Sequence, residues 1–362
     1  MPDADEKQEF LEIDASNGGQ VLRTSVGLSA LTGKPVSLTS IRSTRPKPGL
    51  KKQHLTAIRA VSSLCHAQTN GTYEASGKLT FRPSALSAEP QTLRLNIGTA
   101  GSVSLVLQAA AFPTLVRGAK LSIIGGTDVA WSPPVHYLKY VLLPVLKKMG
   151  ANFSVDLISH GYFPKGNGKA NFISKPAKFP LRPIVLVAPG ELTHITAFSH
   201  CASLPEDIAR NQLSAAEKEL LDAGIDVDFE GSAVSKGASS TIGSGISLFA
   251  HLSSGAVIGA NALGERGKHA SKVGTEAAQN LLRELNAKQP VDVHLADQLI
   301  PYMALAKGKS EIACTSLSQH TLTNIAVCEK ILGIKFSVEG KENAPAKISV
   351  NGVAFKPQAC PQ

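Results

Sequence analysis

The chain is poor in aromatic residues: Trp, Tyr and Phe make up 5% of its 362 residues. Rows of aromatic rings that stack successive nucleobases are not evident, so a nucleic-acid partner is expected to be held by its phosphates. Cysteine is also sparse. Cys65, Cys201, Cys314, Cys328 and Cys360 are odd in number, widely spaced and without a Cys-x-x-Cys pair. This excludes a disulfide framework and a cysteine zinc site, and the thiols are expected to act as small buried hydrophobes. No apolar run reaches the roughly 18 residues of a membrane helix. The longest, Ser102 to Val116, is broken by Gln108 and Pro113. Met1-Pro2-Asp3-Ala4-Asp5-Glu6-Lys7 is acidic and lacks the basic-then-apolar order of a signal peptide. A cytoplasmic location, or a nuclear one in a eukaryote, is expected, with no membrane partner. Two nucleotide signatures are missing as well. Gly243-Ser244-Gly245 lies in a turn ahead of a strand, so it is no dinucleotide fingerprint. Gly308-Lys309-Ser310 mimics the end of a P-loop, but Met303 stands where the upstream glycine belongs.

Positive charge is what the chain does have. The net charge is +9 and the pI about 9.3, which favours a polyanionic partner. Arg42, Arg45, Lys47, Lys51, Lys52 and Arg59 fall in one stretch that contains no acid. Charge alone equally fits a solvated basic loop and helix face. Hydrophobic content of 43% and charged content of 18% are ordinary for a globular protein. The length allows one large domain and a smaller one.

One pattern recurs three times: a Gly/Ser-rich turn, a helix, a break, then a strand. The first copy is Gly18-Gly19, a helix near Gln20 to Leu31, Gly33 and Pro35 as stops, and a strand from Val36 to Ile41. The second is Gly98 to Ser102, a helix near Val103 to Leu115, and a strand from Lys120 to Ile124. The third is Ser316 to Gln319, a helix near Thr321 to Leu332, Gly333, and a strand from Ile334 to Val338. Three helix N-termini could then converge on one cleft. Further helices are predicted over Lys51 to Gln68, over Pro134 to Met149 with a kink at Pro144, and near Glu276 to Leu285. Between Pro183 and Lys272 the texture changes. Ser214 and Glu217 read as a capping box opening a helix to about Leu221. Ile225, Val227 and Phe229 alternate as a strand, and Ile246 to Leu252 with Ala256 to Ala260 reads as a hairpin. This segment is read as an inserted domain. The chain divides into 1–185, 186–272 and 273–362. Residues beyond about Val353 are expected to lack structure.

The most informative run is Ser316-Leu317-Ser318-Gln319-His320-Thr321-Leu322-Thr323-Asn324. It sets one histidine at a polar-to-apolar changeover where a helix should begin. Ser316 and Ser318 are candidate caps, and Ile325, Cys328 and Leu332 continue the apolar face. Outward backbone N–H groups there welcome an anion beside the ring. A neutral imidazole facing a phosphate can attack phosphorus. Taken alone, such a histidine is more often a surface or capping residue.

The run resembles the nucleophile motif of the RNA 3′-terminal phosphate cyclases, and other stretches match that family in order. They are Gly18 to Arg23; Ile41 to Leu50 with Gln53-His54; Gly98 to Ser102 with Gln108; and Leu295-Ala296-Asp297-Gln298. Gly125-Gly126-Thr127-Asp128 with Pro133-Pro134, and His160-Gly161-Tyr162-Phe163-Pro164, are further echoes. The resemblance spans about Glu12 to Val350 and is weakest between Leu186 and Lys272. It implies an α/β (α+β) fold, with a large domain of three repeated βαβαββ-like units and a smaller inserted α/β domain. It also implies ATP-dependent conversion of an RNA 3′-phosphate to a 2′,3′-cyclic phosphate, with ATP, a divalent metal (Mg or Mn) and RNA as cofactors and partner. His320 would carry AMP as the catalytic nucleophile. Gln108, Pro133, His294, Asp297 and Gln298 would bind the nucleotide, with Asp297 orienting His320 or helping to hold a metal. Arg23, Arg42, Arg45, Gln53 and His54 would hold the RNA terminal phosphate, the arginines by bidentate forks.

The sequence departs from the family in two places. An aromatic often stands where this chain has His294. The usual Gly-Glu-Gly-Gly-Gly-Gln reads Asp14-Ala15-Ser16-Asn17-Gly18-Gly19-Gln20 here, with Ser16 at the glutamate's place. The metal ligands are thus unassigned. One rival is a non-catalytic, cyclase-like scaffold for ribosomal-RNA processing, which would lack the histidine. Another, from fold analogy alone, is an enolpyruvyl transferase.

Overall fold

The computed structural model describes residues 9–86, 89–236 and 240–357. Its first unit is β1 (Leu11–Asp14), α1 (Gly19–Thr32), β2 (Val36–Thr39), α2 (Lys52–Cys65), β3 (Gln68–Asn70) and β4 (Leu79–Arg82). The α1 crossover makes β1 and β2 parallel, with Leu11 opposite Val36. β4 joins β2 antiparallel and β3 closes the edge, giving the order β1-β2-β4-β3. The second unit repeats this plan. It comprises β5 (Gln91–Asn96), α3 (Val103–Arg117), β6 (Ala119–Gly125), α4 (Val135–Tyr137), α5 (Leu143–Met149), β7 (Asn152–Ser159) and β8 (Gly168–Lys175), in the order β5-β6-β8-β7.

β9 (Val185–Leu186) opens the third unit, and the small domain intervenes. That domain holds β10 (Leu192–Ala202), α6 (Asp207–Asp222), β11 (Asp228–Lys236), β12 (Gly243–Leu252), β13 (Val257–Leu263) and α7 (Ala270–Asn286). The third unit resumes with α8 (Val293–Leu305), β14 (Lys307–Cys314), α9 (Gln319–Leu332), β15 (Phe336–Gly340) and β16 (Ala346–Val353). Its sheet, β9-β14-β16-β15, has the same first-second-fourth-third order.

This topology corrects the register of the predicted repeat. The counterpart of α1 and α3 is α8, whereas α9 corresponds to α2. The sequence obscured this because β9 is two residues long and the small domain separates it from α8. The true correspondence is visible in the helix starts: Gln53-His54 opens α2 and Gln319-His320 opens α9.

In the small domain, the sheet order is β11-β10-β12-β13. A second apolar core gathers Ile195, Leu248, Ile258 and Leu220 with Val273 and Leu281 of α7, which lie past position 272. The β12–β13 hairpin forms as expected. Two local expectations do not hold. α6 starts at Asp207, not at Ser214, because Ala209 and Gln212 already belong to its buried stripe with Ala216 and Leu220. β11 starts at Asp228, so Ile225 and Val227 precede the strand while packing on the second core. The Pro134–Met149 helix is not regular: its interruption falls just before Pro144. A π-turn at Leu138–Leu142 delivers the chain so that Pro144 falls in the first turn of α5, where its missing N–H is no loss.

One large core runs through all three units. α1 is buried from Gln20 to Leu31 because it packs against α2, α3 and α9. Cys65, Cys201, Cys314 and Cys328 are buried free thiols; Cys360 lies outside the described residues, as does the acidic amino terminus. The chain past Val353 is pinned at first: Ala354 and Phe355 donate to the Ala306 and Leu305 carbonyls, and the Phe355 ring meets Phe179. Among the described residues no helix is long and apolar enough to cross a membrane.

Candidate active site

The floor of the site is two loops sewn together. After β1, the turn Ala15 to Gly18 faces the loop between β2 and α2. Arg42 N–H donates to the Ala15 carbonyl (2.9 Å) and the Thr44 hydroxyl to the Ser16 carbonyl (2.9 Å). Ser40 and Arg42 hold left-handed backbones without being glycine, a strained arrangement that these bonds impose. Arg42 then turns its Nη1 inward, onto the Lys47 and Gly49 carbonyls (2.7 and 3.0 Å). That nitrogen serves the loop. Arg45 is exposed, with Nη2 only 3.4 Å from the Asn17 carbonyl.

Arg23 is the hub. It is buried on α1, yet its Nε donates to Gln108 Oε1 on α3 (3.3 Å) and its Nη2 to Gln20. Burial lowers its pKa to about 10, partly opposed by Asp297 on α8, so it stays charged at neutral pH. Gly19 must be small here: a Cβ would lie 2.3 Å from His54 Nε2 and 3.1 Å from Arg23 Nη1. The same close approach shows that His54, at the start of α2, borders Arg23.

His54 is buried and neutral. Its Nδ1 accepts the Lys51 N–H (3.0 Å), half of a capping box, which leaves the proton on Nε2. Burial, with Arg23, Arg42 and Lys51 adding, drives its pKa down to about 3. A neutral donor thus sits among cations. Gln53 faces another way: its Oε1 accepts the Ser102 N–H (3.0 Å), bracing the start of α3.

His320 occupies the first turn of α9. Ser318 is the N-cap, its hydroxyl accepting the Thr321 N–H (3.1 Å). The side chain is exposed on one side and backed by protein on the other. That partial desolvation lowers its pKa, and Arg23, Arg45 and His294 push in the same direction. An accessible, uncharged imidazole beside two guanidinium groups can attack an electrophile whose negative charge those groups bind.

The expected nucleotide residues are placed less uniformly. Asp292 caps α8, accepting from His294 N–H and Leu295 N–H, and also binds the Tyr137 hydroxyl (2.6 Å) and Gly259 N–H (3.0 Å). One carboxylate therefore joins the second unit, the small domain and α8. This holds His294 exposed, edge-on to Tyr137. A cleft of about 590 Å³ opens there, lined by His294, Ser316, Asn343, Arg283 and Asn261 among others, a size suited to a nucleotide (~300–1,000 Å³). Gln108 is committed to Arg23, and Gln298 Nε2 to the His294 carbonyl (2.8 Å), while Gln298 Oε1 is buried without a partner. Pro133 is anchored by its carbonyl, which accepts from the Ser104 hydroxyl (2.6 Å).

Asp297 does not hydrogen-bond His320; its charged neighbours are Arg23 and Asp292. Burial pushes its carboxyl from 3.8 up to about 7, Asp292 adding and Arg23 opposing. A raised folded-state value favours folding below the ordinary carboxylate range, and that contribution is lost as pH rises through about 7. The melting temperature of Asp297→Asn is accordingly expected to vary less between pH 5 and 8.5 than that of the wild type. Calorimetry at several pH values checks this; parallel profiles would show an ordinary carboxyl.

Sequence reasoning gave no role to Asn324, Thr24 or Gln20. Asn324 takes the Thr24 hydroxyl (2.6 Å) and donates to the Asp297 carbonyl (2.7 Å), tying α9 to α1 and α8. Its signal was a polar residue one turn after His320 on an otherwise buried face. Among the described residues no cluster of three or more metal-ligating side chains includes His320. Asp14 binds the Ser16 N–H and hydroxyl (3.1 and 2.9 Å), and the one cluster of three or more metal-ligating side chains among the described residues involves none of the residues above.

The sequence profile described as RNA 3′-terminal phosphate cyclase matches residues 15–338. An RNA 3′-terminal phosphate cyclase of Methanosarcina barkeri is 43% identical over 338 residues, covering 92% of this chain and 98% of its own. That of Pyrobaculum neutrophilum is 41% identical, covering 95% and 99%, and that of Methanopyrus kandleri 40%, covering 94% and 98%. A solved enolpyruvyl transferase, NikO from Streptomyces tendae, shares 12% identity and a TM-score of 0.26 over 47% of this chain and 33% of its own, too little to carry an argument. With a profile match across residues 15–338 and relatives about 40% identical over nearly the whole chain, the chain belongs to the RNA 3′-terminal phosphate cyclase family.

Proposed function

We propose that the protein converts an RNA 3′-terminal phosphate to a 2′,3′-cyclic phosphate at the expense of ATP, through AMP carried on His320. The observation that carries this reading is the accessible His320 ring at the capped start of α9, held toward its neutral form by burial and by the charges of Arg23 and Arg45. Cyclisation needs a good leaving group, since a 2′-hydroxyl does not expel oxide from phosphorus. His320 attacks the α-phosphorus of ATP, a nitrogen–phosphorus bond forms, and pyrophosphate departs. An oxygen of the RNA 3′-phosphate then takes the AMP and breaks that bond. The 2′-oxygen attacks the 3′-phosphorus, loses its proton to solvent or a base, and releases AMP. Arg23, Arg45 and the Nε2–H of His54 are suited to hold the terminal phosphate, and the cleft at His294 to take the adenosine. A divalent ion, Mg²⁺ or Mn²⁺, would offset the charge of the triphosphate.

Incubation with α-labelled ATP and a divalent metal is expected to leave acid-labile AMP on the chain. No retained label with any of several metals would remove the reading. The alternative, a non-catalytic scaffold for ribosomal-RNA processing, draws on Ser16 standing where the family has glutamate. The same assay separates the two.

Arg45 also tunes the nucleophile. Its removal relieves one cation acting on His320, so the imidazole should protonate more readily. The acid limb of self-adenylylation in Arg45→Ala is expected to move to higher pH, with transfer of AMP to RNA falling further than label uptake. An unmoved limb would place the Arg45 charge outside the ring's reach.

A further inference from the structure

Two motifs find no use in the site above: Gly125-Gly126-Thr127-Asp128 and His160-Gly161-Tyr162. They meet each other and a residue of the small domain. Asp128 follows β6, His160 follows β7, and His200 lies on β10. Asp128 Oδ2 is 2.7 Å from His160 Nδ1, and Asp128 Oδ1 is 3.3 Å from His200 Nε2. All three side chains are buried, and one ligand atom from each lies within 4.8 Å of the others.

We propose that Asp128, His160 and His200 bind a divalent transition-metal ion, Zn²⁺ by donor chemistry, that clamps the small domain onto the second unit. Two imidazole nitrogens and one carboxylate oxygen are a borderline donor set that suits zinc. Bonds of ~2.0–2.2 Å at tetrahedral angles put ligand atoms about 3.3–3.5 Å apart; Asp128 Oδ1 already has that spacing from His200 Nε2, while His160 Nδ1 meets the other carboxylate oxygen at 2.7 Å and must let go of it to face the ion. The surrounding groups are those that orient ligands. The Tyr162 hydroxyl is 2.7 Å from His200 Nδ1, and the Thr127 hydroxyl donates to Asp128 Oδ2 (2.7 Å). Backbone N–H groups of Thr127 and Asp128 bind the Gly161 carbonyl, fixing the two motifs to one another. The fourth coordination position falls to water or to His136. The Nδ1 of His136 is buried without a partner, and its ring centre lies 5.9 and 6.1 Å from those of His160 and His200. On binding, both rings take the tautomer that frees the ligating nitrogen: the His200 proton moves from Nε2 to Nδ1 and is donated to the Tyr162 oxygen, and the His160 proton moves from Nδ1 to Nε2, with no net proton lost.

The test uses the full, tag-free chain, stripped with chelator and titrated with Zn²⁺ or Co²⁺ without nucleotide. One equivalent should bind, with a tetrahedral Co²⁺ visible spectrum and a rise in melting temperature on adding Zn²⁺. Asp128→Asn and His200→Asn should lose both responses. His194→Asn, altering another histidine of β10, should keep them. Absence of stoichiometric uptake by the wild type overturns the proposal, even if the variants fail to fold. So does uptake unchanged in Asp128→Asn or His200→Asn. Self-adenylylation is not read, so failure here leaves the proposed reaction untouched, and the converse holds.

Discussion

His320→Ala is expected to take up no AMP from ATP, a loss of at least ~10³-fold, as befits removal of a covalent nucleophile. Its stability should stay within about 0.5 kcal/mol of the wild type, as for an exposed position free of special contacts, because Ser318 still caps α9 and the ring is on the surface. The sharper expectation concerns the last step. RNA already carrying 5′-AMP on its 3′-phosphate needs no histidine nucleophile, since the 2′-hydroxyl and the leaving AMP are both in place. The variant should therefore still cyclise pre-adenylated RNA. Gel analysis of 2′,3′-cyclic ends after incubation without ATP checks this. Label uptake by His320→Ala at the wild-type level would end the case for this residue. Loss of both activities in a folded variant would mean that the imidazole also positions the RNA end.

Arg23→Ala should damage fold and chemistry together. The guanidinium is buried and joins α1 to α3 through Gln20 and Gln108, within reach of the Asp297 charge on α8. Breaking such a buried charge set from one side costs ~3–5 kcal/mol, a large share of a domain's stability. Asp297, relieved of the one cation that lowers its pKa, should hold its proton further above pH 7. Both label uptake and transfer should fall, unlike in Arg45→Ala, where transfer suffers more. Arg23→Lys should recover little, because an ammonium cannot reproduce the planar fork directed at Gln20 and Gln108. Urea unfolding and both half-reactions measure these effects. Wild-type stability in Arg23→Ala would show that the carboxamides and Asp297 do not depend on it.

Periodicity and stop signals read α1, α3 and α9 closely, because each has a marked start and ends at or beside a glycine. The hairpin of β12 and β13 was legible for the same reason. Misreadings arose where a local rule met a tertiary preference. Ser214 with Glu217 satisfies a capping pattern, yet the buried stripe of α6 extends it backward through Gln212 and Ala209. Ile225 and Val227 alternate like a strand, yet β11 begins only at Asp228, because the two side chains pack on the second core ahead of it. The repeat was visible and its phase was not, since the two-residue β9 carries too few side chains to show alternation.

The sequence by itself determined the chemistry on offer. Apolar spacing and caps fixed where most helices begin, and an order of motifs resembling one family singled out His320, the arginines and the candidate nucleotide residues for the proposed reaction. Tertiary structure alone decided what each group is free to do. Arg42 spends one guanidinium nitrogen on its own loop, Gln53 braces α3, and Asp297 lies beside Arg23 instead of bonding His320. It alone brought Asp128, His160 and His200 together from three elements. The reason is physical. Helix starts are written in a few neighbouring residues, whereas burial, charge and hydrogen-bond partners depend on side chains that only folding makes adjacent.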